Sequence, residues 1–140
     1  MGNNYIRNIG SFCQLRYLRI KSRRITELHE DIGKLQNLET LDLRDSRIIE
    51  LPSTTARLQN LVRLFVDSHC VLSADMFGSM RALEEVSDIC KVDNPEKILE
   101  ELGHLTKLRK ITMTGSWTEC YGERLTSSLK GLGDDSLQYL

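Results

Sequence analysis

The stretch "LRYLRIKSRRITELHEDIGKLQN" (15–37) is followed at once by "LETLDLRDSRIIELPSTTARLQN" (38–60), which has the same length and shares nine of 23 positions without a gap. An internal period of this size constrains architecture more than any other sequence signal, because it belongs to chains assembled from stacked units. The period continues past both copies. With Leu38 as anchor, equivalent leucines are Leu15, Leu61, Leu83, Leu108 and Leu137, at spacings of 23, 23, 22, 25 and 29 residues. Each opens a strand-like phrase: "LRYLRI", "LETLDL", "LVRLFV", "LEEVSD", "LRKITM" and a cut-off "LQYL". The run into each anchor repeats as well: "IGSFCQL", "IGKLQNL", "TARLQNL", "FGSMRAL" and "LGHLTKL". It reads apolar, small, any, apolar, any, any, Leu, and only Thr55 breaks its first position.

In an extended strand, alternate side chains face opposite sides. Leu18 and Ile20, Leu41 and Leu43, Leu64 and Val66, and Ile111 and Met113 therefore point one way. No single copy can bury that apolar edge; stacked copies bury it against one another, with the strands forming a parallel sheet. The expected fold is an α/β solenoid with a curved parallel sheet and short helical or irregular convex returns. On the return, Ile25 and Leu28, then Ile48 and Leu51, supply inward anchors, Ser46 bonds turn backbone and Pro52 stiffens the convex side. The fourth return, "DNPEKILEELGHL", predicts a true helix: Asn94 is the N-cap, Pro95 the first helical residue, and Ile98, Leu99, Leu102 and Leu105 line one face. Asp88 occupies the third apolar strand position of its copy, so either the strand shifts and Ile89 turns inward, or that strand is short.

All 140 residues are expected to form one domain: a partial repeat at 1–14, repeats starting near 15, 38, 61, 83 and 108, and a cut-off repeat from 137. Twenty-two leucines and only 6% aromatic residues imply an aliphatic core. A formal charge of -1 and a pI of about 6.3 give no electrostatic case for nucleic acid or a membrane surface as partner. No apolar run approaches the roughly 20 residues of a membrane helix, and the start "MGNNYIRNIGSFCQ" lacks the pattern of a signal peptide. The chain reads as cytoplasmic. Cys13, Cys70, Cys90 and Cys120 are scattered, without metal-ligand spacing to His29, His69 or His104, and are expected as buried or half-buried free thiols.

No catalytic residue is assigned. Cys120 with Tyr121, Glu123 and His104 has no spacing that fixes a nucleophile–base geometry. The pairs Glu84–Glu85 and Glu100–Glu101 read as solvated charge, and "GLGDD" (131–135) reads as a turn rather than a phosphate cradle. No cofactor is expected. The outward strand positions carry the functional expectation. One column is Arg19, Asp42, Phe65, Ser87, Thr112; the next is Lys21, Arg44, Asp67, with Thr114 after the irregular fourth copy. Arg16, Arg63 and Arg109 stand where the strands begin. The candidate protein-binding face is Arg19, Lys21, Asp42, Arg44, Phe65, Asp67, Thr112 and Thr114, with Phe65 as an exposed anchor among charges. Its competitor is an ordinary solvated face with weak cross-strand ion pairs. Trp117 is expected to pack over the irregular fifth copy.

The phrases "QLRYLRIKSRRITELHEDIGKLQNL" and "LETLDLRDSRIIELPSTTARLQNL", and the irregular "LEEVSDICKVDNPEKILEELGHLTKLRKITM", resemble the leucine-rich repeats of plant intracellular nucleotide-binding leucine-rich-repeat disease-resistance proteins, of the cereal, coiled-coil type. The resemblance implies a leucine-rich-repeat solenoid. It also implies a non-enzymatic recognition and autoregulatory module for defence against pathogens, whose partners are a pathogen effector or host target and the receptor's own nucleotide-binding domain. The sequence has no G-x-x-x-x-G-K-[ST] loop; it begins inside a repeat and ends inside another, so it reads as a fragment of such a receptor. A general intracellular leucine-rich-repeat scaffold or adaptor for signalling proteins is the alternative; such proteins favour a regular period with Leu-Pro in nearly every copy, whereas Leu-Pro stands here only at Leu51–Pro52.

Overall fold

The computed structural model describes residues 8–114 and the backbone of a last strand at 137–139. The runs before each anchor show how a seven-residue pattern becomes geometry. In the first three copies they form short 3₁₀ helices, Ile9–Ser11, Glu30–Lys34 and Ser53–Arg57. The apolar residues of the run are three apart, the spacing at which 3₁₀ side chains eclipse on one face. Two three-residue turns then follow in series. The amide of Leu35 donates to the Ile32 carbonyl at 3.1 Å, and that of Leu38 to the Leu35 carbonyl at 3.0 Å. The same pair of bonds recurs at Phe12 and Leu15, Leu58 and Leu61, Met80 and Leu83, and Leu105 and Leu108, with lengths of 2.9–3.2 Å. The anchor leucine is thus the residue at which a tight turn hands over to a strand.

Strands β1 (Tyr17–Arg19), β2 (Thr40–Asp42) and β3 (Arg63–Phe65) follow, then β4 (Val71–Leu72), β5 (Glu85–Ile89), β6 (Lys91–Val92), β7 (Lys110–Met113) and β8 (Leu137–Tyr139). One parallel sheet runs β1-β2-β3-β5-β7-β8, and β4 and β6 pair in a second, two-stranded one. Register follows the repeat: Leu18 stands against Leu41, Leu41 against Leu64, Leu64 against Val86 and Val86 against Ile111. Where each strand begins, two consecutive amides donate to one carbonyl of the preceding copy. Glu39 and Thr40 meet Arg16, Val62 and Arg63 meet Glu39, Glu84 and Glu85 meet Val62, and Arg109 and Lys110 meet Glu84, at 2.7–2.8 Å and 3.0 Å in every case. The shared Leu-Gln-Asn endings have a similar cause: the Asn37 side-chain amide donates to the Cys13 carbonyl at 3.1 Å, and that of Asn60 to the Gln36 carbonyl at 2.7 Å. Each asparagine satisfies a carbonyl one copy back.

The core is a continuous aliphatic column. Leu38, Leu41, Leu43, Leu61, Leu64, Val66, Leu83, Val86 and Ile111 are at most 1% exposed. Leu28 and Ile48 join it from the returns, with Ile25 and Leu51 partly buried against it. The small second position of the run lets copies approach: a Cβ on Gly33 would lie 2.9 Å from both the Cβ and the carbonyl oxygen of Thr54 in the next return. Thr55 fills an apolar position, fully buried, with its hydroxyl unpartnered among the described residues.

The strand irregularity at Asp88 is a bulge. Asp88 takes φ 59°, a left-handed conformation that Asp tolerates better than most residues, and the register shifts between Val86 and Ile89. Ile89 then pairs with Met113 and is fully buried, so it fills the third apolar position. In the turn after β2, the Ser46 hydroxyl donates to the Leu43 carbonyl at 2.6 Å. Helix α1 (Ala74–Phe77), unforeseen in the sequence, lies in the third return, and the Ala74 amide donates to the Asp93 carboxylate of the next copy at 3.0 Å. That bond holds the Asp93 carboxyl below its ordinary pKa. Helix α2 (Pro95–Gly103) is capped by Asn94, which accepts from the Lys97 amide at 3.2 Å, and it buries Ile98, Leu99 and Leu102. Cys70 is buried and Cys90 half-buried, but Cys13 is exposed, against the expectation for a core thiol, because it stands two residues before an anchor, where the run faces solvent. Trp117, Cys120, Tyr121, Glu123 and the 131–135 turn lie outside the described residues.

Candidate protein-binding face

The concave sheet face brings Arg19, Asp42 and Phe65 into direct register on β1, β2 and β3, with Ser87 of β5 beside Phe65. Asp42 is not a solvated contact residue: its side chain is 1% exposed. Arg44 Nε donates to Asp42 Oδ1 at 2.9 Å, Arg44 Nη2 to Asp42 Oδ2 at 2.8 Å and the Arg44 amide to Asp42 Oδ1 at 3.1 Å. Arg19 Nε stands 3.7 Å from the same carboxylate. An isolated buried carboxylate is strongly disfavoured, and a two-pronged guanidinium contact is the arrangement that retains it. The Arg44 hydrogen bonds hold the Asp42 carboxyl below its ordinary range against the opposing effect of burial, and the Asp42 carboxylate raises Arg44 in turn.

Phe65 is half-buried rather than an exposed anchor, because the Arg44 guanidinium lies over its ring at 4.5 Å from the centroid. Such a stack contributes about 0.5–1 kcal/mol where solvent has access. Asp42 therefore works from beneath. It orients Arg44 and Arg19, whose side chains remain 45% and 44% exposed. Asp67 is also engaged internally: its Oδ2 accepts the Asp45 amide at 2.7 Å, pinning a turn in which Asp45 adopts φ 66°. Lys21 is exposed, while Thr112 and Thr114 are half-buried, the Thr114 hydroxyl unpartnered among the described residues. The eight sequence candidates thus divide into three exposed cations (Arg19, Lys21, Arg44), half-buried Phe65 beneath Arg44, Asp42 that orients the arginines, Asp67 that pins the Asp45 turn, and two threonines farther along the sheet.

A third column was missed. Tyr17, Thr40, Arg63, Glu85 and Lys110 are in register on the same face, one pleat toward the strand starts. The signal was available, since the third residue of L-x-x-L-x-L faces the same way as the fifth. Tyr17 is 55% exposed. Arg63 Nη1 donates to the Thr40 hydroxyl at 3.2 Å, and Lys110 Nζ lies 3.8 Å from Glu85 Oε1. Glu85 is therefore a half-buried ion-pair partner, not free solvated charge.

Among the described residues, no group of three or more His, Cys, Asp or Glu could hold a metal ion, and no helix is long and apolar enough to cross a membrane. Burial, with the nearby Asp67 and Glu50, pushes the Cys70 thiol up to about 12, far from a reactive thiolate.

Comparison with known proteins agrees with this architecture. Among curated proteins, none matches the sequence. Similar solved structures include internalin C2 of Listeria monocytogenes, 22% identical, with 97% of this chain and 68% of that one covered and a TM-score of 0.60. A leucine-rich-repeat protein of Leptospira interrogans is 16% identical, with 89% and 50% covered and a TM-score of 0.44. At this identity the internalin likeness carries the fold alone. The sequence model of the family described as leucine-rich repeat region matches residues 1–140. Repeat phrase, turn geometry, sheet register and family match agree, and the chain belongs to the leucine-rich-repeat family.

Proposed function

We propose that the chain is a non-enzymatic recognition module that binds a partner protein on the concave face of its sheet. The observation that carries this reading is the preorganised cluster Arg19–Asp42–Arg44–Phe65, with Tyr17 exposed beside it. Arginine and tyrosine are the side chains most often responsible for binding energy at protein interfaces, and holding them in place beforehand reduces the entropy lost on binding. Within this reading the chain acts as a general leucine-rich-repeat scaffold or adaptor, the level of description that the family match supports.

The finer reading is a plant intracellular immune receptor, cytoplasmic, with an effector or host target and a nucleotide-binding domain as partners. It is supported by the texture of the 15–61 phrases and of the irregular fourth copy with its helix. The test is a paired loss of binding. Tyr17→Ala with Phe65→Ser should lower affinity for a protein partner at least about tenfold, the scale of a modest interface hot spot. Glu100→Lys, on the exposed side of α2, should leave it unchanged. Equal losses on both faces would refute concave binding. Arg44→Glu is unsuitable here, since it would set a second carboxylate against buried Asp42. For the finer reading, a coiled-coil-class nucleotide-binding domain co-expressed with the chain should co-precipitate with it and not with the double variant; failure with the unmodified chain rejects the receptor assignment.

A further inference from the structure

Beside the concave face, where the chain leaves β1, β2 and β3, three successive turns enclose an open cleft of about 580 Å³. Arg23, Thr26, Asp45, Arg47, Ile49 and Asp67 contribute to its walls. The two acids there are already engaged. Asp67 accepts the Asp45 amide at 2.7 Å, and the Asp45 carboxylate stands 3.8 Å from Arg19 Nη2. Arg23 and Arg47 are exposed and make no ion pair among the described residues. The cleft therefore presents two uncommitted guanidinium groups. Arg23 belongs to the most basic stretch of the chain: residues 16–24 hold Arg16, Arg19, Lys21, Arg23 and Arg24 and no acid.

The wall is also apolar on one side. Ile49 is 58% exposed and lines the cleft. The isoleucine contributes its apolar side chain to the wall that the two arginines and Asp67 also line. An open cleft that offers two arginines beside one aliphatic side chain is complementary to a segment carrying carboxylates and aliphatic residues.

We propose that this cleft is a second docking site, for an acidic peptide segment of a partner protein. A carboxylate of the segment engages Arg23 and Arg47, and an aliphatic side chain lies on Ile49. Guanidinium forks match carboxylate geometry, and neither arginine must break an internal pair to be used. The site is independent of the concave-face reading, since it shares none of Tyr17, Arg44 or Phe65.

The experiment is fluorescence polarisation with the full 140-residue chain and a labelled Leu-Asp-Leu-Asp-Leu-Asp peptide. A Leu-Lys-Leu-Lys-Leu-Lys peptide is the charge control, a Ser-Asp-Ser-Asp-Ser-Asp peptide tests the apolar wall, and inorganic phosphate serves as competitor. The Leu-Asp peptide should bind more tightly than both other peptides. Arg23→Glu with Arg47→Glu should weaken it by about tenfold or more, as expected for lost charge-assisted contacts. Ile49→Ser should weaken it by about fivefold, through lost apolar burial. All three positions are exposed, and circular dichroism of each variant checks the fold. Equal binding of the Lys and Asp peptides, or an unaffected double variant, would overturn the proposal. So would displacement by phosphate at concentrations where chloride of equal ionic strength is inert, which would make this an inorganic anion site. Loss of the peptide in Tyr17→Ala with retention in the arginine double variant would move the binding to the concave face and likewise overturn it.

Discussion

Replacing Asp42 by Asn tests the account of the concave face at its centre. The carboxylate is 1% exposed and receives two side-chain bonds from Arg44, at 2.8 and 2.9 Å, and one from the Arg44 amide at 3.1 Å. Asn keeps the shape, removes the charge and turns an amide donor toward a guanidinium. Hydrogen bonds to charged groups contribute about 1.5–3 kcal/mol each. Arg44 is 45% exposed and can rehydrate, so the losses do not add in full. The expected cost is about 2–3 kcal/mol at pH 7, or a fall in Tm of about 6–12 °C for a domain of this size. The pH profile identifies the cause. The folded Asp42 pKa lies below the 3.8 of an ordinary Asp, first because of the Arg44 side-chain bond. A depressed carboxyl contributes stability that is fully present above the unfolded pKa of about 3.9 and is lost as pH falls through the folded value. Urea unfolding followed by circular dichroism at pH 7, 5 and 3 should therefore show a gap between the native chain and Asp42→Asn that is constant from 7 to 5 and smaller at 3. A gap below about 0.5 kcal/mol at pH 7, the scale of an ordinary surface change, or one that does not narrow with acid, would refute the reasoning.

Other substitutions probe the core and its thiols. Thr55→Val should stabilise the fold by about 1–2 kcal/mol, because it exchanges a buried hydroxyl that has no partner among the described residues for a methyl of the same shape; a lower urea midpoint would contradict this. Gly33→Ala should destabilise by about 1–3 kcal/mol, since the new Cβ would sit 2.9 Å from the Thr54 carbonyl oxygen; an unchanged thermal melt would mean that the next return yields freely. In the folded chain at pH 8, iodoacetamide should modify exposed Cys13 and spare Cys70, whose thiol is pushed up to about 12, with Cys70 reacting only in denaturant; equal rates by peptide mass mapping would contradict the burial.

The aliphatic architecture was legible in the sequence because burial in a solenoid is periodic. Leu41, Leu43, Leu64 and Val66 follow from a period of two within a strand, and helix α2 follows from Asn94, Pro95 and four apolar residues at helical spacing. Asp88 left two readings open, because the chemistry of Asp is compatible with a short strand as well as a bulge; only the register against Met113 separates them. The small sheet of β4 and β6 was invisible, since two-residue strands leave too short a pattern to detect. On the concave face, the columns could be read from alternation, but the roles within them could not. Asp42 and Phe65 look alike on paper as outward residues.

The sequence by itself determined that this chain stacks copies of one phrase, because an apolar stripe repeated every 22 to 25 residues can be buried only against its own neighbours. The tertiary structure decided which outward residues remain available. Availability depends on contacts within a copy and between neighbouring copies: Arg44 reaching back over Asp42 and across to Phe65, and Asp67 holding the Asp45 turn, while Arg23 and Arg47 make no ion pair among the described residues. Those contacts are set by register and side-chain reach across strands, and a periodic pattern of letters does not encode either.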